Sequence, residues 1–240
     1  MNTFSIALKE IKSYFVSPVA YVIIAFWLVT TGLFFALIAI NSRTTSMQEL
    51  FSTVTVLLLL ISPALTMRLL SEEQRTGTLE LLMTAPIRDW EVVLGKFIAA
   101  LTLFVAMMAL TVLYPLLLSA FGGTPDWGSI FSGYLGLFLF GAAFLAVGLF
   151  ASSLSDNQMV AAVISFVILL TLWMIGQLGG SLGVGADAVS WLQALSVTEH
   201  FNNSFPRGVI DLTDVLFYLL LIGVMLWTTI QILESRRWRA

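Results

Sequence analysis

Six stretches of this chain contain no Asp, Glu, Lys or Arg: 13–42, 50–67, 97–125, 127–155, 157–186 and 215–233. They are 30, 18, 29, 29, 30 and 19 residues long. A helix crossing the hydrocarbon core of a bilayer needs about 20 predominantly apolar residues, with about 17–25 as the usual range. Lipid offers backbone groups no partner, so a spanning segment of this kind bonds its N–H and C=O groups internally, as a helix. The pattern therefore predicts an all-α integral membrane protein. Its six transmembrane helices fall near 19–40, 51–70, 92–118, 130–152, 157–178 and 214–234, in one domain over 1–240. An even number of spans puts both termini on one side. Composition agrees, because 59% hydrophobic and 10% charged residues leave too little polar surface to coat a soluble globule of 240 residues. Mean hydropathy is +0.98.

The same numbers exclude several function classes. A net charge of −3 argues against a nucleic-acid partner, which demands a basic face. With no cysteine there is neither a thiolate site nor a disulfide framework. One histidine, His200, makes a protein metal cage improbable, so no metal, cofactor or catalytic residue is expected. The glycines of 176–185 lack the Gly-Lys-Ser/Thr ending of a phosphate-binding loop, so ATP hydrolysis would belong to another chain. No Asp, Glu, Lys or His is expected deep inside a span, whereas ion-driven carriers and intramembrane hydrolases place ionisable groups there.

Basic residues orient the chain. A cytoplasmic N-terminus places Lys9, Lys12, Arg68, Arg75, Arg88, Lys96, Arg236, Arg237 and Arg239 inside and only Arg43 and Arg207 outside. The positive-inside rule then predicts both termini and the segment 71–96 in the cytoplasm, and the localisation expected is a bacterial inner membrane. Ahead of the first span, residues 3–16 carry Phe4, Ala7, Leu8, Ile11, Tyr14 and Phe15 on one helical face, away from Lys9 and Lys12. This predicts an amphipathic elbow helix along the cytoplasmic leaflet.

The segment Ser71–Lys96 is the one long polar passage between two hydrophobic spans, with Glu72, Glu73, Arg75, Glu80, Arg88, Asp89, Glu91 and Lys96 charged. Water or a soluble partner is expected to receive those charges. Gly77 supplies a flexible joint, Thr78 an N-cap, and Glu80 an acid for the first turn of a short helix. Leu79, Leu81, Leu82 and Met83 make that helix apolar on most sides, and Pro86 stops it. Asp89 is a cap for the next helix, with Glu91 in its first turn. A short apolar helix presented from a charged loop suits docking into a groove of another protein.

The string Glu73-Gln74-Arg75-Thr76-Gly77-Thr78-Leu79-Glu80-Leu81-Leu82, then Ala85-Pro86 and Gly95-Lys96, resembles the loop between the second and third spans of ABC-2-type transporter permeases. Gln74 stands where a basic residue is frequent in that family. The resemblance implies a cytoplasmic coupling helix seated in a cleft of an ABC ATPase subunit. It assigns ATPase coupling to Glu72, Glu73, Arg75, Gly77, Thr78, Leu79, Glu80, Leu81, Leu82 and Pro86. It further implies a permease subunit without enzymatic activity, exporting cargo, with two ATPase copies, a second permease chain (identical or related) and an extracytoplasmic accessory protein as partners in the lipid bilayer. Glu199-His200-Phe201, Phe205, Arg207-Gly208-Val209-Ile210-Asp211-Leu212 and Leu233-Glu234-Ser235-Arg236-Arg237-Trp238 look like the gliding-motility (GldF-like) subgroup. The alternative is a membrane scaffold whose ATPase does mechanical or assembly work on the envelope without moving solute.

Local features complete the picture. Pro63 in the second span reads equally as a bend transmitting loop movement or as an ordinary membrane-helix kink. Ala142/Ala146, Gly148/Ser152 and Ala161/Ser165 are small pairs four apart that permit close helix packing. In the outer segment 179–213, Glu199 and His200 lack a nucleophile or fixed partner, so packing is expected there rather than catalysis. Asp211 and Asp214 mark the start of the sixth span.

Overall fold

The computed structural model describes residues 3–42, 47–78, 88–121, 123–181 and 193–237, and all regular structure among them is helical. In order these are α1 (Thr3–Val16), α2 (Pro18–Ser42), α3 (Gln48–Thr66), α4 (Ser71–Thr76), α5 (Asp89–Thr111), α6 (Leu113–Ala120), α7 (Trp127–Leu154), α8 (Gln158–Ser181), α9 (Val197–Asn202), a 3₁₀ turn (Phe205–Arg207) and α10 (Leu212–Arg237). Six helical segments are long and apolar enough to span a bilayer: Pro18–Ile40, Gln48–Thr76, Asp89–Ala120, Trp127–Leu154, Gln158–Gly176 and Leu212–Ser235. The all-α membrane architecture and its six spans are as the uncharged windows predict.

The bundle is built around α7. Most of α7 is buried, whereas α2, α8 and α10 leave most of their surface outward. It packs against α3, α5, α8 and α10, and the 3₁₀ turn closes over it. Small residues make that centrality possible. A Cβ at Gly148 would lie 2.1 Å from Thr66 Oγ1, so α3 and α7 approach closely only because nothing projects there. Ala142, Ala146 and Ser152 are likewise buried on α7. At the periphery, α2 holds the bundle through Trp27, fully buried, and through Thr31, whose hydroxyl lies 2.9 Å from that of Tyr114.

Two spans are interrupted, the later one where proline chemistry dictates. The second, expected over 51–70, is α-helical only to Thr66, three residues past Pro63, and turns through Met67–Leu70 before α4 begins. The third, expected over 92–118, breaks at Val112. Pro115 lacks the N–H that would bond the Thr111 carbonyl, and α6 restarts at Leu113.

The elbow α1 forms over the expected residues, but it rests on protein as well as facing outward. Ile6 and Ala7 are buried against α5, where Gly95 leaves them room: a Cβ there would stand 2.8 Å from the Ile6 side chain. Phe4 and Leu8, expected on the same apolar face, point outward with Lys9 and Lys12.

Candidate functional site

The residues singled out for coupling begin in α4, and the way its root is anchored defines the site. Where α3 ends, the backbone N–H groups of Leu70 and Ser71 have no helical partner in sequence before them. Both donate to the hydroxyl of Ser152 at 3.1 Å, and that hydroxyl in turn donates to the Met67 carbonyl at 3.1 Å. One fully buried serine on α7 thereby closes the whole turn. Ser71 returns a short hydrogen bond to the Met67 carbonyl. Further along α4, the Gln74 side-chain amide donates to the Ser153 carbonyl at 3.1 Å. Gln74 thus contributes a neutral bond to the backbone of α7.

Beside this turn lies an ionic cluster joining three elements. The Lys96 side chain on α5 is 2% exposed, with its Nζ 2.8 Å from Glu73 Oε1 on α4 and 3.0 Å from Glu10 Oε1 on α1. A buried ammonium is costly unless paired, and two carboxylates at contact distance supply the pairing. The carboxylates keep some access to water, at 17% and 18% exposure. Glu73 Oε2, however, is buried without a hydrogen-bond partner. The expectation that water or a partner receives every charge of 71–96 is corrected for Glu73 and Lys96, which neutralise each other inside the fold.

Glu72 lies on the other side of α4, accepting from Arg68 Nε and Nη2 at 2.9 and 3.1 Å, with both side chains about two-fifths exposed. Tyr14 adds a third tie from α1, donating to the Leu65 carbonyl at 2.8 Å. Burial, and then the neighbouring Glu10 charge, raise the Tyr14 hydroxyl far above the ordinary phenol range, so it remains a donor at any physiological pH.

Gly77 ends α4 in the left-handed conformation, φ +70°, and its N–H bonds the Gln74 carbonyl. That is the backbone state glycine adopts at least cost, and it ends the helix. Arg75, Thr76, Gly77 and Thr78 are exposed, and the Thr78 hydroxyl lies 2.9 Å from that of Thr76. Leu79, Glu80, Leu81, Leu82 and Pro86 lie outside the described residues. The chain re-enters at Arg88, which occupies the N-cap position in place of Asp89; Glu91 accepts from the Arg88 N–H at 3.1 Å. Asp89 and Glu91 both sit in the first turn of α5, where the helix dipole favours them.

Three residues of this site were not singled out by the sequence. The apolar stripe of the elbow gives no reason to pick out Glu10. In sequence Ser152 fits a small packing pair, and Lys96 belongs to a motif and a charge count. Lys96 and Gly95 do carry one legible signal: a cation one residue after a glycine, at a span's charged edge.

The opposite end of the bundle holds a second polar cluster. His200 Nδ1 lies 2.6 Å from Asp214 Oδ1 and its Nε2 3.1 Å from the Ala194 carbonyl, with the ring stacked on Phe217 at 4.1 Å. The second Asp214 oxygen accepts a short hydrogen bond from Ser204. His200 therefore has the fixed partner that sequence reading denied it, and Asp214 is a buried acceptor in the first turn of α10, while Asp211 caps that helix by accepting from the Thr213 N–H at 2.9 Å. Ser204 bonds the carboxylate rather than the imidazole, so the three do not form a nucleophile–base relay. Glu199 accepts from Asn203 at 2.7 Å and takes no part in the cluster.

Residues 39–198, about two thirds of the chain, match a family described as ABC-2 family transporter protein. The match contains the α3–α4 turn, the loop and Lys96, and it ends before the residues from Glu199 onward that resemble the gliding-motility subgroup. No curated protein matches the chain.

Proposed function

The chain belongs to the ABC-2 family of transporter proteins, and on that premise we propose that the junction of Ser152, Lys96 and Gly77 delivers the work of a separate ATPase to the membrane helices. A multi-pass permease subunit of an ABC transporter partners an ABC ATPase, and this chain is such a subunit. In our reading the segment 71–96 faces the cytoplasm of a bacterial inner membrane, as do both termini. The helix at Leu79–Thr84 docks in the ATPase, with Glu72, Glu73, Arg75, Gly77, Thr78 and Glu80 leading into it and Pro86 ending it.

The carrying observation is the anchoring of α4. A helix of six residues has little stability of its own. Ser152 fastens its root to α7, and Lys96 fastens its Glu73 to α5 and α1. Displacement of the loop is therefore passed to three elements at once, while Gly77 provides the joint beyond them. Two such permease chains, identical or related, complete the pathway with two ATPases. The family resemblance favours spans one and five, α2 and α8, as the contact between them, and both leave most of their surface outward, as α10 does. Export is the direction the family resemblance favours, and the gliding-motility-like character of 199–238 remains part of this proposal.

The test is co-purification with the ATPase and coupled ATP hydrolysis in two variants. Leu82→Asp places a carboxylate in an apolar contact, and Gly77→Pro forbids the left-handed backbone state. Both should insert normally yet weaken ATPase association about tenfold to thousandfold, as interface anchors do. Wild-type association and hydrolysis in both would overturn the docking role of this loop.

A further inference from the structure

A cavity of about 540 Å³, part of it open to the surroundings, lies between α1, the start of α2 and the α3–α4 junction. The lining is mixed in chemistry. Glu10, Ser13, Tyr14, Ser17, Arg68 and Glu72 supply polar groups, and Val19, Ile23 and Leu65 are among the apolar residues. Charged side chains at a span's end sit at headgroup level, which brings Arg68 and Glu72 to the level of lipid phosphates and amines.

We propose that this cavity binds one membrane phospholipid whose headgroup carries both a phosphate and a primary amine. Arg68 commits Nε and Nη2 to Glu72, which leaves Nη1 to donate to a phosphate oxygen. Glu72, about two-fifths exposed, and Glu10, whose Oε1 alone contacts Lys96, are acceptors for an ammonium. The lining holds two carboxylates against one guanidinium, and Lys96 is shared between Glu10 and Glu73, so a purely anionic headgroup gains only the Arg68 contact. A quaternary amine brings bulk but no N–H for those carboxylates, whereas a primary ammonium brings three donors. A lipid held there braces Arg68 and Glu72 across the α3–α4 turn. Its consequence for coupling rests on the reading above, but its binding does not.

The test titrates the full-length chain in detergent micelles with dioleoyl phosphatidylethanolamine, phosphatidylcholine or phosphatidylglycerol, and counts bound lipid by native mass spectrometry without ATP. One ethanolamine lipid per chain is expected, retained about tenfold better than the other two, as for loss of one charge-assisted hydrogen bond. That preference should vanish in Arg68→Ala and in Ala64→Trp, which fills the cavity. Glu72→Gln keeps the side-chain shape and should lose the preference for ethanolamine over choline, so the idea stays testable if either larger change misfolds. Equal retention of the three lipids, stronger retention of the glycerol lipid, or an unchanged preference in the folded variants would overturn the site. Displacement by an equal concentration of soluble glycerophosphoethanolamine would overturn the assignment to a lipid. Because no ATPase takes part, failure here leaves the coupling reading standing, and failure of the coupling variants leaves this site standing.

Discussion

The two ends of the bundle both bury charged side chains, yet they solve different problems. At the end carrying α4, Lys96 bridges Glu73 and Glu10, residues on three elements far apart in sequence, and one Glu73 oxygen is left without a partner. At the end carrying α9, His200, Ser204 and Asp214 lie within fifteen positions, and both Asp214 oxygens are engaged. The second cluster closes a local cap, fastened to α7 by Ser129 and Ser132 donating to the carbonyls of Pro206 and Phe205 at 2.7 Å. A satisfied local network favours one arrangement; an ion shared among three elements, with an acceptor left over, can exchange partners when one element moves. That contrast supports the proposal that α4, rather than α9, carries the coupling movement.

Four substitutions bear on it, in falling order of effect. Lys96→Met leaves two partly buried carboxylates side by side and should cost about 3–5 kcal/mol, seen as a lowered thermal unfolding midpoint in detergent. Adding Glu10→Gln and Glu73→Gln should restore most of it. An unchanged midpoint in the single variant would mean that the cluster is solvated and the two ends are not different in kind. Ser152→Ala strips the Leu70 and Ser71 N–H groups of their acceptor and should cost about 2 kcal/mol. Coupled ATP hydrolysis should fall further than stability accounts for; equal losses would reduce Ser152 to packing.

Asp214→Asn, at the other end, keeps the shape and weakens bonds to His200 and Ser204, for about 1 kcal/mol. Coupling per folded complex should be unchanged, and a coupling defect as large as that of Ser152→Ala would erase the contrast. Smallest is Glu72→Gln. The Arg68–Glu72 pair is about two-fifths exposed on each side, so less than about 1 kcal/mol should be lost in stability. A larger drop in chemical-denaturant resistance would show that this pair, too, belongs to the locked junction.

The sequence by itself determined the class of fold, because a charge inside lipid is expensive and its absence over six windows of 18–30 residues admits one economical outcome. It also pointed to Gly77, ahead of Thr78, as a flexible position, and the structure ends α4 there in the left-handed conformation. It determined less about the site, for a physical reason. Helical periodicity describes what one helix offers, whereas the partner of a polar side chain depends on which helices become neighbours. Glu10 looked like any acid on a solvated elbow until α1 packed over Gly95 and brought it to Lys96. Ser152 fitted a small-residue pair equally well whether it was only small or also a donor, and His200 looked alone although Asp214 stood fourteen residues ahead. Only the tertiary structure decided these, because each bond depends on two elements being held at a separation that neither element's own sequence encodes.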